Sequence, residues 1–282
     1  MLVHGRITDP NYGKEQQVLF NTVCRFFSVG TGDKLDELLE RLRLLGACVA
    51  GGSVTSCFSN SPLADLDIYL RELNECSIAS FASLMADFGF TPAFSSKLAH
   101  SYTRQGNMSR RVYHIQLIKA FSGSPQEVFD SFDFTVCAGS FDFTTGRFDL
   151  HPRFLPDIAK RRLVYMGGSR YPICALYRTI KYTKKGYTIP GSTMMHLALA
   201  CARLDIRTFD ELKAQLMGID TLFMGDYLKR LPDDVPLELG EFLAEIFESI
   251  DGSLTVAEKE EDSDLELTTI GGGRGLPWPS VS

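Results

Sequence analysis

Leucines at 35, 38, 39, 42 and 45 recur at three- and four-residue spacing behind a capping Asp33, and Gly46 follows them, so the pattern predicts a helix over 33–45. Residues 47–50 form a short apolar run that leads into Gly51-Gly52-Ser53, a buried strand entering a glycine turn. After a polar stretch to Pro62, Leu66, Ile68 and Leu70 alternate with Asp65, Asp67 and Tyr69. This period of two predicts a strand with its aliphatic side chains on one face and both carboxylates on the other. Residues 17–29 carry mixed helical periodicity, a helix is expected over 77–88, and a strand over 112–118. Ser124-Pro125-Gln126-Glu127 opens a short helix with a capping Ser, Pro first and Glu third, and 132–137 reads as a strand. From 157 onward helices dominate, with candidates at 157–163, 172–186, 192–204, 208–217 and 238–250.

Helix and strand signals mixed in this way predict an α+β fold, a small mixed sheet with flanking helices followed by an all-helical domain. The expected domains are 1–156 and 157–251, with 252–282 as a mobile tail containing the acidic run 258–264 and a Gly/Pro-rich end. The length of 282 residues and the 44% hydrophobic share exclude a chain disordered over most of its length. A net charge of −6 argues against polyanion binding until it is read by position: residues 1–204 carry +6 and the remainder −12. Any phosphate-binding surface therefore belongs to the first part. Seven widely spaced cysteines without a Cys-x-x-Cys pair suit reduced thiols. No apolar stretch approaches the ~20 residues of a membrane helix. The expectation is a soluble cytoplasmic protein without membrane association.

Asp65 and Asp67, two residues apart on one strand face, are ~7 Å apart along the chain and repel each other unless a cation intervenes. Magnesium binds to a few carboxylates together with waters and substrate phosphates. The glycine turn upstream supplies the complement: glycine lets the backbone approach a phosphate closely, and exposed amides and the Ser53 hydroxyl are donors to its oxygens.

The string GGSVTSCFSNSPLADLDIYL resembles the defining motif of the DNA polymerase β-like nucleotidyltransferase superfamily, in which an apolar strand, Gly-Gly or Gly-Ser and a spacer precede Asp-apolar-Asp-apolar. The stretch from Ser124 to Asp142 further resembles nucleotidyltransferase-like proteins of bacterial, phage and large-virus genomes. The resemblance covers about residues 40–190. It implies a third carboxylate on a neighbouring strand, for which Asp133 in SFDFTVC fits best, with Asp130, Asp142 and Asp149 as rivals; Asp142 falls at a Thr145-Gly146 hairpin turn, where Asp is more often structural. It also implies two magnesium ions, with manganese as a substitute, held by Asp65, Asp67 and Asp133, and phosphates held by Gly52 and Ser53.

Residues 160–187 contain eight basic residues and no acidic one. Arg178, Lys181 and Lys185 share a helix face fit for a triphosphate or an RNA backbone, Arg110 and Arg111 extend the patch, and the resemblance implies a base-stacking role for Tyr177, Tyr182 or Tyr187. His100, His114, His151 and His196 lack metal-ligand spacing, and Gly167-Gly168-Ser169 reads as a turn because no Asp-x-Asp follows. Together these features predict nucleotidyl transfer from a nucleoside triphosphate to a hydroxyl, an RNA 3′ end first among acceptors. The alternative is an inactive nucleotide- or RNA-binding module of the same fold. Oligomeric state leaves no trace in the sequence.

Overall fold

The computed structural model describes residues 7–8, 12–30, 33–59, 61, 63, 65–106, 111–120, 122–123 and 125–216. The chain opens with β1 (Ile7–Thr8) and α1 (Gly13–Phe27), which buries Leu19, Phe20, Val23, Phe26 and Phe27 along one face. Next, α2 (Asp33–Leu44) buries Leu35, Leu38 and Leu42 of the leucine stripe. Gly46, at φ +60, then turns the chain into β2 (Ala47–Ala50).

The connection that reads as polar in sequence is a helix, α3 (Gly52–Ser59). Its polar side chains are absorbed by burial: the Thr55 hydroxyl lies 3.0 Å from Gly51 O and 2.6 Å from Val136 O. β3 (Asp65–Leu70) follows as the alternation predicts. α4 (Glu75–Asp87) starts ahead of the expected 77 because Asn74 and Ser77 cap it reciprocally. β4 (Thr91–Ser95) and β5 (Ala99–Gln105) come next, then β6 (Val112–Ile118), which has the predicted bounds.

After α5 (Pro125–Asp130), the strand expected at 132–137 is not formed. Phe134 makes one bridge to Tyr165, and Thr135–Cys137 winds into a 3-10 turn. The cause is tertiary, since the Thr135 hydroxyl donates to the Asp157 carboxylate at 2.6 Å and its amide to Val164 O at 3.0 Å. β7 (Gly139–Asp142) and β8 (Arg147–Leu150) form a hairpin, followed by α6 (Phe154–Ala159), α7 (Pro172–Lys184), α8 (Gly191–Ala202) and α9 (Phe209–Leu216).

The strands build one mixed sheet in the order β1-β8-β7-β2-β3-β6-β5-β4, with β3 parallel to β6 and the other neighbours antiparallel. Register divides the chemistry between faces. Val49, Leu66, Ile68, Ile115, Leu117, Tyr102 and Phe141 share the face that joins Phe26, Leu38, Phe81 and Leu84 in the main core. The opposite face carries Asp65, Asp67, His114 and Gln116, and beside them a small cluster of Ala50, Tyr69 and Val128 backed by Phe132.

All described residues fall within one compact unit, Met1–Pro236. Residue 156, where the sequence places a domain boundary, is inside it, tied to the sheet side by the Thr135–Asp157 bond. The helix expected at 238–250, the acidic run and the 252–282 tail lie outside the described residues. Among the described residues no helix is long and apolar enough to cross a membrane.

Phe141 is fully buried, with its ring 4.9 Å from Phe148 and 5.3 Å from Phe143. Phe141→Ala is expected to cost about 3–5 kcal/mol of unfolding free energy, read as a lower urea midpoint with an unchanged slope.

Candidate nucleotide site

Gly51 leaves β2 at φ +71, a left-handed conformation that a Cβ would oppose, and a Cβ there would also lie 3.4 Å from the Phe132 ring. Its amide donates to Gly139 O at 3.1 Å, and its carbonyl accepts from Val54 and Thr55 at the start of α3. The next residue, Gly52, is exposed, and a Cβ there would meet nothing within 4 Å. Gly52 therefore leaves its side-chain position open at the start of α3, where the positive end of the helix dipole favours an anion. Ser53 is placed differently from the sequence reading. It is 1% exposed, and its hydroxyl bridges the backbone of β3, lying 3.5 Å from Asp65 O and accepting from the Asp67 amide at 3.4 Å.

That bridge holds the glycine turn against the segment carrying both carboxylates. Asp65 and Asp67 are half-buried and share their face with Tyr69, whose phenol is held well above its ordinary pKa by burial first and the Asp67 charge second. On the parallel neighbour β6, His114 stands opposite Asp65 and Gln116 opposite Asp67. The His114 Nδ1 is buried without a hydrogen-bond partner. In the sequence His114 lacks metal-ligand spacing and Gln116 carries no motif, although both alternate with Ile115 and Leu117; only the parallel register reveals what they face.

Asp133 is 3% exposed and follows α5 rather than sitting on a strand beside β3. Its carboxylate is ion-paired with Arg178 of α7, and its carbonyl accepts from the Met166 amide at 2.8 Å. Burial works against the Arg178 charge, but Cys174 and Asp133 outweigh it and hold the guanidinium well above its ordinary value. Among the described residues no group of three His, Cys, Asp or Glu side chains is placed to hold a metal ion. Asp65 and Asp67 share one strand face, and Asp133 is the partner of Arg178, whose charge acts on Tyr69 together with that of Asp67.

Of the rival carboxylates, Asp142 has structural work. Asp142 accepts from Arg71 at 2.8 Å and from the Thr144 amide at 2.7 Å at the hairpin turn. Asp149 is buried on β8 opposite Thr8, and Asp130 is exposed at the end of α5. Gly168 passes so close to the Asp130 carbonyl that a side chain would collide with it, consistent with a turn at 167–169.

Of the basic helix face, Arg178 reaches Asp133, Lys181 is half-buried, and Lys185 lies just past the end of α7, its carbonyl accepting from Arg161 at 2.7 Å. Lys160, Arg161, Arg162, Arg170 and Lys184 are exposed. The tyrosines fill core instead of offering a stacking surface: Tyr177, Tyr182 and Tyr187 are buried, and the Tyr182 hydroxyl meets Cys137 Sγ at 2.8 Å. Arg111 covers the Tyr113 ring and donates to Leu63 O; Arg110 lies outside the described residues.

Cys48 lies opposite Tyr69 on the site's face, and burial, reinforced by Asp142, pushes its thiol up to about 12. Burial likewise raises Cys57 to about 12 and Cys137 and Cys174 to about 11, whereas Cys76 is exposed. Thiols that ionise near 9.0 when unfolded but hold their proton in the fold stabilise it fully below that pH, and the contribution falls as pH rises toward 11–12. At pH 8 a thiol reagent is expected to modify Cys76 rapidly and these four only on unfolding, and the urea midpoint is expected to drop between pH 9 and 11.

A family model described as Gabija anti-defense 2 family protein matches residues 17–161, just over half of the chain. "Gabija anti-defense 2" of Bacillus phage SPbetaL7 is 34% identical over 184 residues, covering 65% of this chain and 44% of its own, so the chain spans under half of that relative's length. Similar solved structures include a Thermotoga maritima CCA-adding enzyme complexed with tRNA, at 18% identity, TM-score 0.46, and 81% of this chain against 54% of that one. A Bacillus stearothermophilus CCA-adding enzyme in complex with CTP is 19% identical with TM-score 0.41, covering 57% and 41%.

Proposed function

The chain belongs to the Gabija anti-defense 2 family, and from that premise we propose that it counters that defence as a magnesium-dependent nucleotidyltransferase. It would move a nucleoside monophosphate from a nucleoside triphosphate to a hydroxyl acceptor and release pyrophosphate. The observation that carries this reading is the Ser53 bridge, which fixes an open helix start beside two carboxylates on one strand face.

Two hard oxygen donors, half-exposed and adjacent to a phosphate-accepting turn, suit magnesium, which takes one or two carboxylates and completes its shell with substrate phosphates and water. Asp65 and Asp67 would hold it, and when bound it supplies charge neutralisation on the triphosphate and acidifies the acceptor hydroxyl. The Gly52 and Ser53 amides bind phosphate oxygens at the start of α3. Arg178, oriented by its pair with the buried Asp133, would bring positive charge to the leaving pyrophosphate, and Lys181 and Lys185 would extend that field. Asp133, paired with Arg178, orients that guanidinium, and it remains the candidate third carboxylate for the second ion implied by the sequence resemblance. His114 and Gln116, opposite the two carboxylates, orient the acceptor hydroxyl. An RNA 3′ end is the favoured acceptor, because the exposed Lys160, Arg161, Arg162 and Lys184 form a surface that follows a phosphate backbone.

The same pair, His114 and Gln116, favours a second reading, since the strand parallel to β3 offers no carboxylate opposite Asp65 or Asp67. In that reading the protein is an inactive nucleotide- or RNA-binding module, which retains nucleotide without magnesium and releases no pyrophosphate.

The full chain, incubated with each labelled nucleoside triphosphate and magnesium, with and without RNA, separates the two. Transfer to a hydroxyl acceptor is expected, and the Asp65→Asn plus Asp67→Asn variant is expected to lose at least about a hundredfold of it while keeping the wild-type melting temperature. Transfer that survives this double substitution refutes the catalytic assignment. Binding without transfer supports the module.

A further inference from the structure

A nucleotide held at the Gly51 turn brings a base as well as phosphates, and a base needs a flat apolar surface to rest on. Tyr177, Tyr182 and Tyr187 are buried and offer none. Around the turn and the Asp133–Arg178 pair, Tyr69, Phe129, Phe134 and Tyr165 are buried as well. Phe132 is the exception: it is half-buried, and it packs on Ala50, Tyr69 and Val128 beside Asp65 and Asp67.

Three neighbours fix its ring. The Cε1–Cζ edge is so near Gly51 that a Cβ there would lie 3.4 Å from it. The Tyr69 ring stands 6.3 Å away at 74°, and the Phe129 ring 6.5 Å away at 34°. The Phe132 amide donates to Phe129 O at 3.0 Å, which ties its backbone to the end of α5. The next residue, Asp133, turns to Arg178. Phe132 thus touches the glycine turn and is one residue removed from the partner of Arg178, so phosphates at the turn bring their nucleoside within reach of the ring. A fully buried ring has no face to offer, and a free one loses entropy when a ligand orders it. A half-buried ring held by three neighbours avoids both costs.

We propose that Phe132 is the stacking platform for the base of the nucleotide bound at the Gly51 turn, an inference that rests on the nucleotide site proposed above. Every base has a π face, so this contact selects a nucleoside triphosphate over inorganic polyphosphate without choosing among bases.

The test is isothermal titration calorimetry of the full chain in magnesium with two probes: α,β-methylene ATP, which cannot transfer its nucleotide, and inorganic tripolyphosphate, which has the phosphates without the nucleoside. Phe132→Leu is expected to weaken binding of the ATP analogue at least about fivefold and to leave tripolyphosphate binding unchanged. Phe132→Met, which keeps the bulk and loses the π face, is expected to give the same split. Equal weakening of both probes by both variants assigns the ring to the shape of the turn and overturns the proposal, as does wild-type affinity for the analogue in either variant. Wild-type protein that binds tripolyphosphate as tightly as the analogue overturns it while leaving phosphate binding at the turn intact. Wild-type protein that binds neither probe overturns it together with the nucleotide site.

Discussion

Gly51 is the constraint on which the site depends. Only a left-handed residue turns the chain out of β2 directly into α3, and that turn packs against Phe132 on one side while its amide reaches Gly139 on the other. With the direction of α3 fixed, Ser53 falls against β3 and its buried hydroxyl connects the backbone on both sides of the carboxylate pair. A helix start opening to solvent and two carboxylates on a neighbouring strand are therefore one rigid unit. Because the turn is built from backbone, its geometry is present before any ligand arrives.

The pleat of β3 separates stability from chemistry. Leu66, Ile68 and Leu70 turn to the main core, while Asp65 and Asp67 turn the other way toward His114 and Gln116. The same parity operates on β5 and β6, where Tyr102, Ile115 and Leu117 share the core face with Arg104. A charged residue on the core face is expensive to retain; Arg104 is held between two aromatic rings and donates to Phe26 O, while its buried Nε has no partner. The protein thus carries polar groups on both faces of one sheet.

The Asp133–Arg178 pair links the sheet domain to α7. Removing Arg178 leaves the buried Asp133 carboxylate unpaired, whereas Arg178 is itself part-exposed, so the pair holds the basic helix to the α5–β7 connection chiefly through the carboxylate. Nearby, the Tyr182 hydroxyl closes on the protein itself, at Cys137 Sγ. Positive charge on α7 is in part structural, and what remains for a polyanion is on the exposed residues of 160–185.

The sequence by itself determined every element whose signal is local. The leucine stripe of α2, the alternation in β3 and β6, the proline-led starts of α5 and α7, the glycine turn and the shared face of Asp65 and Asp67 follow from periodicity and capping, which depend on neighbours three or four residues apart. Tertiary structure decided what depends on partners far along the chain. Thr135 leaves the strand region because Asp157 and Val164, more than twenty residues later, take its hydroxyl and amide. Asp133, an apolar-flanked carboxylate by its letters, becomes the partner of Arg178, 45 residues away. The residues opposite Asp65 and Asp67 come from a parallel neighbour that no local pattern names, since parallel pairing is set by a crossover and not by a turn. Local spacing fixes which way a side chain points; only the assembled sheet fixes what it meets.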